Sequence, residues 1–204
     1  MLFWILYIIA FLPLVVLLPI KLVNKKNLKQ LKGKNYIIAC NHMSNFDPVA
    51  IDFKFHKQFK ILAKKELFKN KFKGGFYKTL GAIPVDRENP DAGAVKEVLK
   101  QIKKRRSILI FPQGTRVSTP SIAENAAKEG VAMFAIRTNT PVLPVMIDKK
   151  IKFFRRVKIY VGEPMFPDET RRKDKDYVAY FSQKIVENMN KLLEGETKHE
   201  NERL

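Results

Sequence analysis

A histidine and an aspartate lie close together in a stretch that changes abruptly from apolar to polar. Residues 36–40 form a short apolar run typical of a buried strand, and His42 follows it. Asp47 directly precedes Pro48, an order that favours an N-cap and the first residue of a helix. The turn between strand and helix would bring the imidazole and the carboxylate together. Such a pair predicts a general base, because the carboxylate fixes the tautomer of an imidazole that removes a proton from a hydroxyl group.

Other roles for these residues remain open at this point. A histidine after a strand can be purely structural, and Asp47 can be only a helix cap. Cys40, the single cysteine, could form a nucleophilic pair with His42, although a small buried thiol in a strand is the stronger interpretation. One cysteine allows no internal disulfide and indicates a reducing compartment. The three histidines have no metal-ligand spacing, so we predict no metal site.

Polar residues also follow two further apolar runs, at 80–85 and 107–111. These residues are Arg87 after the first run and Gln113, Gly114, Thr115 and Arg116 after the second. Open α/β sheets place ligand sites at such strand ends. Arginine binds phosphate with two parallel hydrogen bonds, and a glycine lets backbone N–H groups approach an anion or a developing oxyanion. The pattern predicts a substrate with a hydroxyl group to deprotonate and a phosphate to hold.

Alternating strands and helices must position these groups. Apolar runs predict strands at 36–40, 59–63, 80–85, 107–111, 141–147 and 156–161. Helical periodicity and capping residues predict helices at 48–56, 89–106, 121–137 and 168–194, with Ser121 and Glu124 as a capping box for the third. This alternation predicts an α/β fold with a mixed, largely buried sheet flanked by helices.

The amino-terminal segment predicts attachment to a membrane. Residues 2–20 contain no charged side chain, and about 20 apolar residues suffice to span a bilayer. The features of a cleavable signal peptide are absent from the sequence here. Six lysines follow, which places the rest of the chain on the cytoplasmic side: Lys21, Lys25, Lys26, Lys29, Lys32 and Lys34. Pro13 and Pro19 leave a kinked or half-inserted anchor as an alternative to a full span.

The net charge of +19 in 204 residues predicts acidic partners. Nucleic acid, anionic lipid, phosphorylated substrates and an acidic carrier protein all fit such a field. No nucleic-acid-binding motif is recognisable, so we expect no nucleic acid partner. Residues 64–77 mix lysines with large apolar side chains, which is typical of a segment at a lipid interface and equally of a solvated amphipathic connector.

Four blocks of residues, in one order and spacing, resemble the motifs of the glycerolipid acyltransferase family, specifically the bacterial 1-acyl-sn-glycerol-3-phosphate acyltransferases. The blocks are Asn41-His42-xxxx-Asp47, Gly81-x-Ile83-Pro84-x-x-Arg87, Phe111-Pro112-x-Gly114-Thr115-Arg116 and Val142-x-Pro144-Val145. The similar stretch covers residues 35–165, most of the chain after the apolar segment. Four ordered motifs are far more specific than any one of them.

The resemblance implies a reaction. His42, oriented by Asp47, would act as general base on the sn-2 hydroxyl of lysophosphatidate. The activated oxygen would attack the thioester of acyl-CoA or acyl-carrier protein directly and give phosphatidate, with no cofactor beyond this co-substrate. Arg87 and Arg116 would hold the phosphate of the acceptor.

The third block would form the cradle for that phosphate, with Gly114 and Thr115 shaping it. The family usually has glutamate where this chain has Gln113. Glutamine keeps the shape and one acceptor but loses the charge. Alternatives are therefore acylation of glycerol-3-phosphate or another lysolipid, a family member without turnover, and a non-catalytic basic binding module tethered to the membrane.

These expectations define the organisation of the chain. We predict a membrane anchor at 1–20, a basic linker at 21–34, an acyltransferase domain at 35–195 and a charged, disordered tail at 196–204. The predicted partners are a lysophospholipid acceptor, acyl-CoA or an acidic acyl-carrier protein, and anionic membrane lipids. The predicted location is the inner membrane, with the catalytic domain on its cytoplasmic face.

Overall fold

The structure, a computed structural model, describes residues 17–85, 92–123 and 129–201. No helix within these ranges is both long and apolar enough to cross a bilayer. The anchor predicted at 1–20 falls almost entirely on residues 1–16, which lie outside the described residues. Its last residues belong to the folded domain, because Leu18 is buried in the core and Ile20 begins a strand of the sheet.

The central element is a sheet of seven strands. In chain order they are β1 (Ile20–Val23), β2 (Ile37–Cys40), β3 (Lys60–Lys64), β4 (Ala82–Val85), β5 (Ile108–Ile110), β6 (Val142–Ile147) and β7 (Val157–Val161). Their order across the sheet is β1-β7-β6-β2-β5-β3-β4. All neighbours are parallel except β6 and β7, which are antiparallel. The predicted α/β fold with a mixed sheet is confirmed.

The strand directions give the sheet two unlike edges. Strands β2 to β6 run the same way, so their carboxyl ends meet at one edge, which we call the carboxyl edge. Strands β1 and β7 run oppositely and begin there. The amino edge is the other one, where β2 to β6 begin. Polar loops that follow β2 and β5 therefore meet at the carboxyl edge, as the sequence predicts.

Helices cover both faces of the sheet. They are α1 (Asp47–Phe55), α2 (Lys71–Thr79), α3 (Ala92–Lys103), α4 (Gly130–Thr138) and α5 (Tyr177–Asn201), with 3₁₀ helices at Lys25–Leu31, Lys65–Phe68 and Glu169–Arg171. Alternate residues of β2 enter two cores: Ile38 packs with α1 on one face, whereas Ile37 packs with α3, α4 and α5 on the other. Because both faces are covered, the whole of β2 is buried.

Residues 21–34, predicted as a basic linker, form instead an ordered part of the domain. Strand β1 pairs with β7 from Ile20 to Val23, and the following 3₁₀ helix buries Asn27 and Leu31. The side-chain amide of Asn27 donates a hydrogen bond to the Val161 carbonyl at 3.0 Å. The prediction missed this because the abundant lysines, which remain solvated, hide the few apolar positions.

Two helix boundaries also differ from expectation. Helix α5 continues through Gly195 to Asn201, so residues 196–201 are helical rather than disordered. A glycine costs a helix only about 1 kcal/mol relative to alanine, and the glutamate and lysine residues around it favour helix. Residues 121–123 are not helical, and the described helix there begins at Gly130. Glu124 of the predicted capping box lies outside the described residues.

Candidate active site

The turn between β2 and α1 brings His42 and Asp47 into contact. The Nδ1 atom of His42 lies 2.8 Å from Oδ2 of Asp47, and the carboxylate is completely buried. The same Oδ2 accepts the backbone N–H groups of Met43 and Ser44, each at 2.7 Å. Asp47 is the first residue of α1, and its side chain accepts hydrogen bonds from the preceding turn. The N-cap is Phe46, so the prediction of Asp47 as the N-cap is wrong by one residue. The two N–H groups hold the carboxylate in the orientation that the imidazole requires.

The imidazole itself is held from several sides. Its ring stacks on the ring of Phe111, with 4.0 Å between centroids and 17° between planes. The backbone carbonyl of His42 accepts the N–H of Val117 at 2.8 Å. His42 is 8% exposed, so solvent reaches only a small part of it. With Nδ1 directed to Asp47, Nε2 is the ring nitrogen that remains to accept a proton.

Gln113 forms a hydrogen bond with the backbone of His42. Its Oε1 accepts the backbone N–H of His42 at 3.4 Å, and the side chain is buried. Gly114 has a φ of +68°, which glycine adopts without strain, and its N–H donates to the Phe111 carbonyl at 2.9 Å. The N–H of Gly114 therefore closes the turn after β5. The chain reverses sharply at this turn, and the loop after it returns to His42, whose carbonyl accepts the Val117 N–H.

A groove of about 790 Å³ opens at the carboxyl edge beside this pair. Three segments line it: the turn after β2, the loop after β5 and the loop between β6 and β7, with residues 43–46, 115–118 and 150–153. Thr115 and Arg116 are among the lining residues and are exposed. The Nη1 atom of Arg116 donates to Oδ1 of Asn45 at 2.7 Å, which ties the guanidinium to the turn that carries His42.

Not every predicted site residue can be placed. Arg87, the second predicted phosphate ligand, belongs to residues 86–91, which lie outside the described residues. It follows β4, which ends at Val85 on the carboxyl edge. The roles assigned to His42, Asp47 and the residues of the third block stay predictions, whereas the proximity of His42, Asp47, Gln113 and Arg116 is a feature of the structure.

The sequence interpretation missed four residues that contribute to this site. Asn41 is completely buried and exchanges hydrogen bonds with Ile147 at the end of β6, donating at 2.9 Å and accepting at 2.8 Å, and it also donates to the Pro120 carbonyl at 3.1 Å. Asn41 thereby joins three loops around His42. Its position directly before His42 in the first block was the feature of the sequence that could have identified it. Phe111 supplies the platform for the imidazole. Lys150 and Lys152 line the groove, and nothing in their local sequence distinguished them.

The structure argues against Cys40 as a nucleophile. The thiol is completely buried in the core and contacts Oδ1 of Asn41 at 3.7 Å. Burial, together with the negative charge of Asp47, raises the pKa of Cys40 well above its usual value. Since the thiolate is the reactive form, this thiol is inert. Among the described residues no three histidine, cysteine, aspartate or glutamate side chains cluster as metal ligands, and the absence of a resident metal stays a prediction.

Residues 19–148 match the family model described as Acyltransferase. The chain is 33% identical over 174 residues to a 1-acyl-sn-glycerol-3-phosphate acyltransferase of Streptococcus pneumoniae, an alignment that covers 82% of this chain and 63% of that protein. It is also 33% identical over 184 residues to the protein of the same name from Bacillus subtilis, covering 85% of this chain and 89% of that protein.

A solved structure shares the fold. The 1-acyl-sn-glycerophosphate acyltransferase PlsC from Thermotoga maritima superimposes with a TM-score of 0.65 and 20% sequence identity, covering 93% of this chain and 76% of that chain. This similarity concerns the backbone architecture, which agrees with the α/β sheet described above.

Proposed function

The chain belongs to the acyltransferase family, and from that premise we propose that it transfers a fatty acyl group from acyl-CoA or acyl-carrier protein to the sn-2 hydroxyl of 1-acyl-sn-glycerol-3-phosphate. The prediction of an O-acyltransferase is confirmed at the level of the family. The observation that carries the finer proposal is the contact of 2.8 Å between His42 and Asp47 beside a groove lined by cations. The names of the relatives from Streptococcus pneumoniae and Bacillus subtilis support this choice of acceptor.

The proposed reaction uses the imidazole as a general base. Nε2 of His42 removes the proton of the sn-2 hydroxyl as the oxygen attacks the thioester carbonyl. Asp47 stabilises the imidazolium that forms. The tetrahedral intermediate collapses with cleavage of the C–S bond, and the imidazolium returns the proton to the departing thiolate. The products are phosphatidate and the free thiol of the donor. The inert Cys40 fits direct transfer without an acyl-enzyme.

The cations of the groove would hold the phosphate of the acceptor. Arg116 is exposed, lines the groove and is oriented by Asn45. A guanidinium can donate two parallel hydrogen bonds to phosphate, and the ammonium groups of Lys150 and Lys152, which line the same groove, add positive charge. Arg87 keeps the role of a second phosphate ligand as a prediction from the sequence. Thr115, which also lines the groove, would donate its hydroxyl to the same anion.

Activation of the acyl group comes from the thioester of the co-substrate, so the proposed chemistry requires no resident cofactor. The location at the inner membrane, with the domain on the cytoplasmic face, likewise remains part of this proposal. It rests on the uncharged segment 2–20 and on the lysines that follow it in the sequence.

A panel of acceptors and donors tests the proposal. Purified full-length protein is offered lysophosphatidate, glycerol-3-phosphate and other lysolipids with one labelled acyl donor, first acyl-CoA and then acyl-carrier protein. We expect labelled phosphatidate from lysophosphatidate at the highest kcat/KM. If a different labelled lipid is the main product, lysophosphatidate is not the preferred acceptor, and the acceptor that gives that lipid takes its place in the proposal. No labelled product with any acceptor, from protein that is folded by circular dichroism, would favour the member without turnover.

A further inference from the structure

A second cavity lies at the amino edge of the sheet, at the opposite end of β2 from His42. Its volume is about 850 Å³, and the segment 25–36, Phe55, Lys57 and Arg105 line it. Strand β2 has four residues and rises about 3.3 Å per residue, so roughly 13 Å of sheet separates this cavity from the candidate active site. A group held in the cavity is therefore out of contact with His42.

The cavity carries positive charge without a matching negative charge. Six lysines and one arginine line it, and none of its described lining residues is acidic. None of these seven side chains forms an ion pair with a described residue. Like charges around one cavity repel one another, and a cavity lined by one sign of charge concentrates ions of the other sign. The surroundings therefore favour an anion with several negative charges.

Lys57 is the most enclosed of these cations, because it is half-buried whereas the other six are exposed. Its Nζ atom lies 4.3 Å from the centroid of the Tyr36 ring and 5.8 Å from that of Phe59. Both rings attract the ammonium group and hold it in place. Burial lowers the pKa of Lys57, and no described carboxylate offsets this effect. A phosphate group in the cavity would supply the counter-charge that Lys57 lacks.

The rest of the lining is apolar and aromatic, with Leu28, Leu31, Tyr36 and Phe55. Tyr36 is buried, and no described residue accepts a hydrogen bond from its hydroxyl group. Burial raises the pKa of Tyr36 to about 12, so the hydroxyl stays protonated and remains a donor. A simple phosphate would leave the apolar surface uncovered, whereas a ligand that also carries a flat ring would cover it. Apolar surface with a few polar groups, in a cavity of this size, is typical of sites for small molecules.

The backbone keeps Arg105 beside the segment that carries Tyr36. Arg105 has a φ of +57°, a left-handed conformation that residues other than glycine rarely adopt. Its N–H donates to the Ile102 carbonyl at 2.8 Å and closes the turn after α3. Two residues later, Oγ of Ser107 accepts the Tyr36 N–H at 3.1 Å. A guanidinium in this position can donate two parallel hydrogen bonds to a phosphate.

We propose that the amino-edge cavity binds a soluble nucleoside polyphosphate, at a site separate from the groove beside His42. The phosphates would lie among Lys57, Arg105 and the lysines of the segment 25–36, and the base would cover the apolar part of the lining. Free nucleotides and the nucleotide part of coenzyme A share this chemistry. The binding is independent of the proposed function, because it involves neither the catalytic pair nor the groove.

Other anionic partners fit the cavity less well. The uncharged segment 2–20, for which we predict attachment to a membrane, enters the fold at the carboxyl edge, where the Leu17 carbonyl accepts the Phe154 N–H at 2.7 Å. A lipid headgroup would have to reach the other edge of the sheet. An acidic protein would match the exposed lysines, but its surface would not enter a cavity and cover Tyr36.

Isothermal titration calorimetry on the purified full-length protein tests the site. The probes are ATP, tripolyphosphate, which lacks the ring, and adenosine, which lacks the charge. We expect one molecule of ATP to bind per chain, and tripolyphosphate and adenosine to bind about tenfold more weakly or less. Coenzyme A is added as a competitor of ATP, because it could also bind where the acyl donor reacts. Displacement of ATP by a lower concentration of coenzyme A than of unlabelled ATP would identify coenzyme A as the source of the nucleotide.

Two double variants locate the bound ATP. Lys57→Met/Arg105→Asn removes two cations of the cavity, while methionine keeps an apolar stem and asparagine tolerates the left-handed conformation. Lys96→Met/Lys104→Gln, the matched control, removes two exposed cations that do not line the cavity. We expect the first to weaken ATP binding about tenfold or more and the control to leave it nearly unchanged. Thermal unfolding without ligand checks both folds, and Arg105→Asn alone gives the same test if the first double variant does not fold.

Four outcomes would overturn the proposal. No binding of ATP and no binding of coenzyme A at this site is the first, and equal loss of ATP binding in the two double variants is the second, since it would show an effect of net charge alone. The third is loss of ATP binding in Arg116→Ala, which would place ATP in the groove. The fourth is tripolyphosphate binding as tightly as ATP, which would make this a polyphosphate site that does not recognise a ring.

Two further measurements separate the site from other partners and from the proposed function. If an acidic acyl-carrier protein or vesicles of phosphatidylglycerol bind through Lys57 and Arg105 while ATP does not, the surface belongs to that partner and the proposal is wrong. Acyl transfer is assayed on the same protein preparations. A protein that acylates no acceptor yet binds ATP disproves only the proposed function, whereas an active protein that binds no nucleotide in the cavity disproves only this site.

Discussion

The two edges of the sheet both carry a basic cavity, yet in the described part of the chain only the one at the carboxyl edge adjoins the contact between His42 and Asp47. The cavity at the amino edge has a volume of about 850 Å³ and the groove at the carboxyl edge about 790 Å³. Seven cations line the amino-edge cavity: Lys25, Lys26, Lys29, Lys32, Lys34, Lys57 and Arg105. None of its described lining residues is a histidine, aspartate or glutamate. Size and positive charge alone therefore do not single out the groove beside His42 and Asp47.

The difference lies in how strand ends present polar groups. At the carboxyl edge, the turns after β2 and β5 bring an imidazole, a buried carboxylate and a guanidinium together from separate parts of the chain. At the amino edge, lysines on solvated segments surround apolar side chains such as Leu31 and Phe55. Convergence of unlike polar groups that bond to one another identifies the candidate active site, whereas accumulation of one charge identifies only an electrostatic surface.

The sharpest test compares two histidines. His42→Gln keeps a side-chain N–H for Asp47 but removes the base, so we expect the rate of acyl transfer to fall about 10²–10⁴-fold. His56 ends α1 at the amino edge with a φ of +49°. His56→Asn is the matched control, because asparagine tolerates this conformation, and it should leave kcat unchanged. Both variants are assayed for kcat and for thermal unfolding; a fully active His42→Gln protein would contradict the proposed base.

A second test concerns Asp52, one of the two buried aspartates of helix α1. Asp47 faces the histidine at the carboxyl edge, whereas Asp52 accepts the Phe59 N–H at 3.0 Å near the amino edge. Burial raises the pKa of Asp52 to about 8, although the Phe59 N–H and Lys60 act in the opposite direction. The unfolded value is about 4. The native state therefore binds the proton more tightly, so this group favours folding below about pH 4 and progressively loses that contribution as the pH rises to about 8.

Asp52→Asn should remove this dependence. Asparagine keeps an oxygen for the Phe59 N–H and has no charge to bury, so the variant should be more stable than the wild type above about pH 8, by an amount of several kcal/mol at most, and similar to it at pH 4. Urea unfolding followed by circular dichroism at several pH values measures the difference. Equal midpoints for the two proteins across this range would show that Asp52 is charged without cost in the native state.

The cations of the two cavities provide the third comparison. Arg116→Ala should raise the KM for lysophosphatidate about tenfold, which corresponds to about 1.4 kcal/mol, and should change the KM for the acyl donor less. The KM of Arg116→Lys for lysophosphatidate should lie between those of the wild type and Arg116→Ala, because lysine keeps the charge and loses the planar pair of donors. Lys29→Ala in the amino-edge cavity is the control and should change neither KM. Equal effects of Arg116→Ala and Lys29→Ala would indicate that only the overall charge matters.

The smallest effect is expected at Gln113. Its Oε1 accepts the His42 N–H, and glutamate can accept that bond equally well. Gln113→Glu should therefore change kcat by no more than a few-fold. A gain of a hundredfold or more would show that the family's usual carboxylate has a role that glutamine cannot perform, and would identify the wild-type chain as a weakened enzyme. Steady-state kinetics with saturating donor distinguishes these results.

Much of the arrangement is predictable from local pattern. The short apolar runs give six of the seven strands nearly in their observed positions, because buried parallel strands have few alternatives to continuous apolar residues. His42 and Asp47 are predictable as a pair because only one tight turn separates them. Strand β1 was missed, since Ile20 and Leu22 acquire their role only when β7, more than a hundred residues later, provides an edge to pair with.

The sequence alone determined the fold class and the family, and it predicts which residues remove a proton and bind a phosphate, since these follow from periodicity and from residue types at fixed spacing. Only the tertiary structure decided which oxygen of Asp47 faces the ring, that Phe111 and Asn41 hold the histidine, and that Lys150 and Arg116 line the same groove. These contacts join segments far apart in the chain. Their geometry depends on how the strands are ordered in the sheet, which no local pattern specifies.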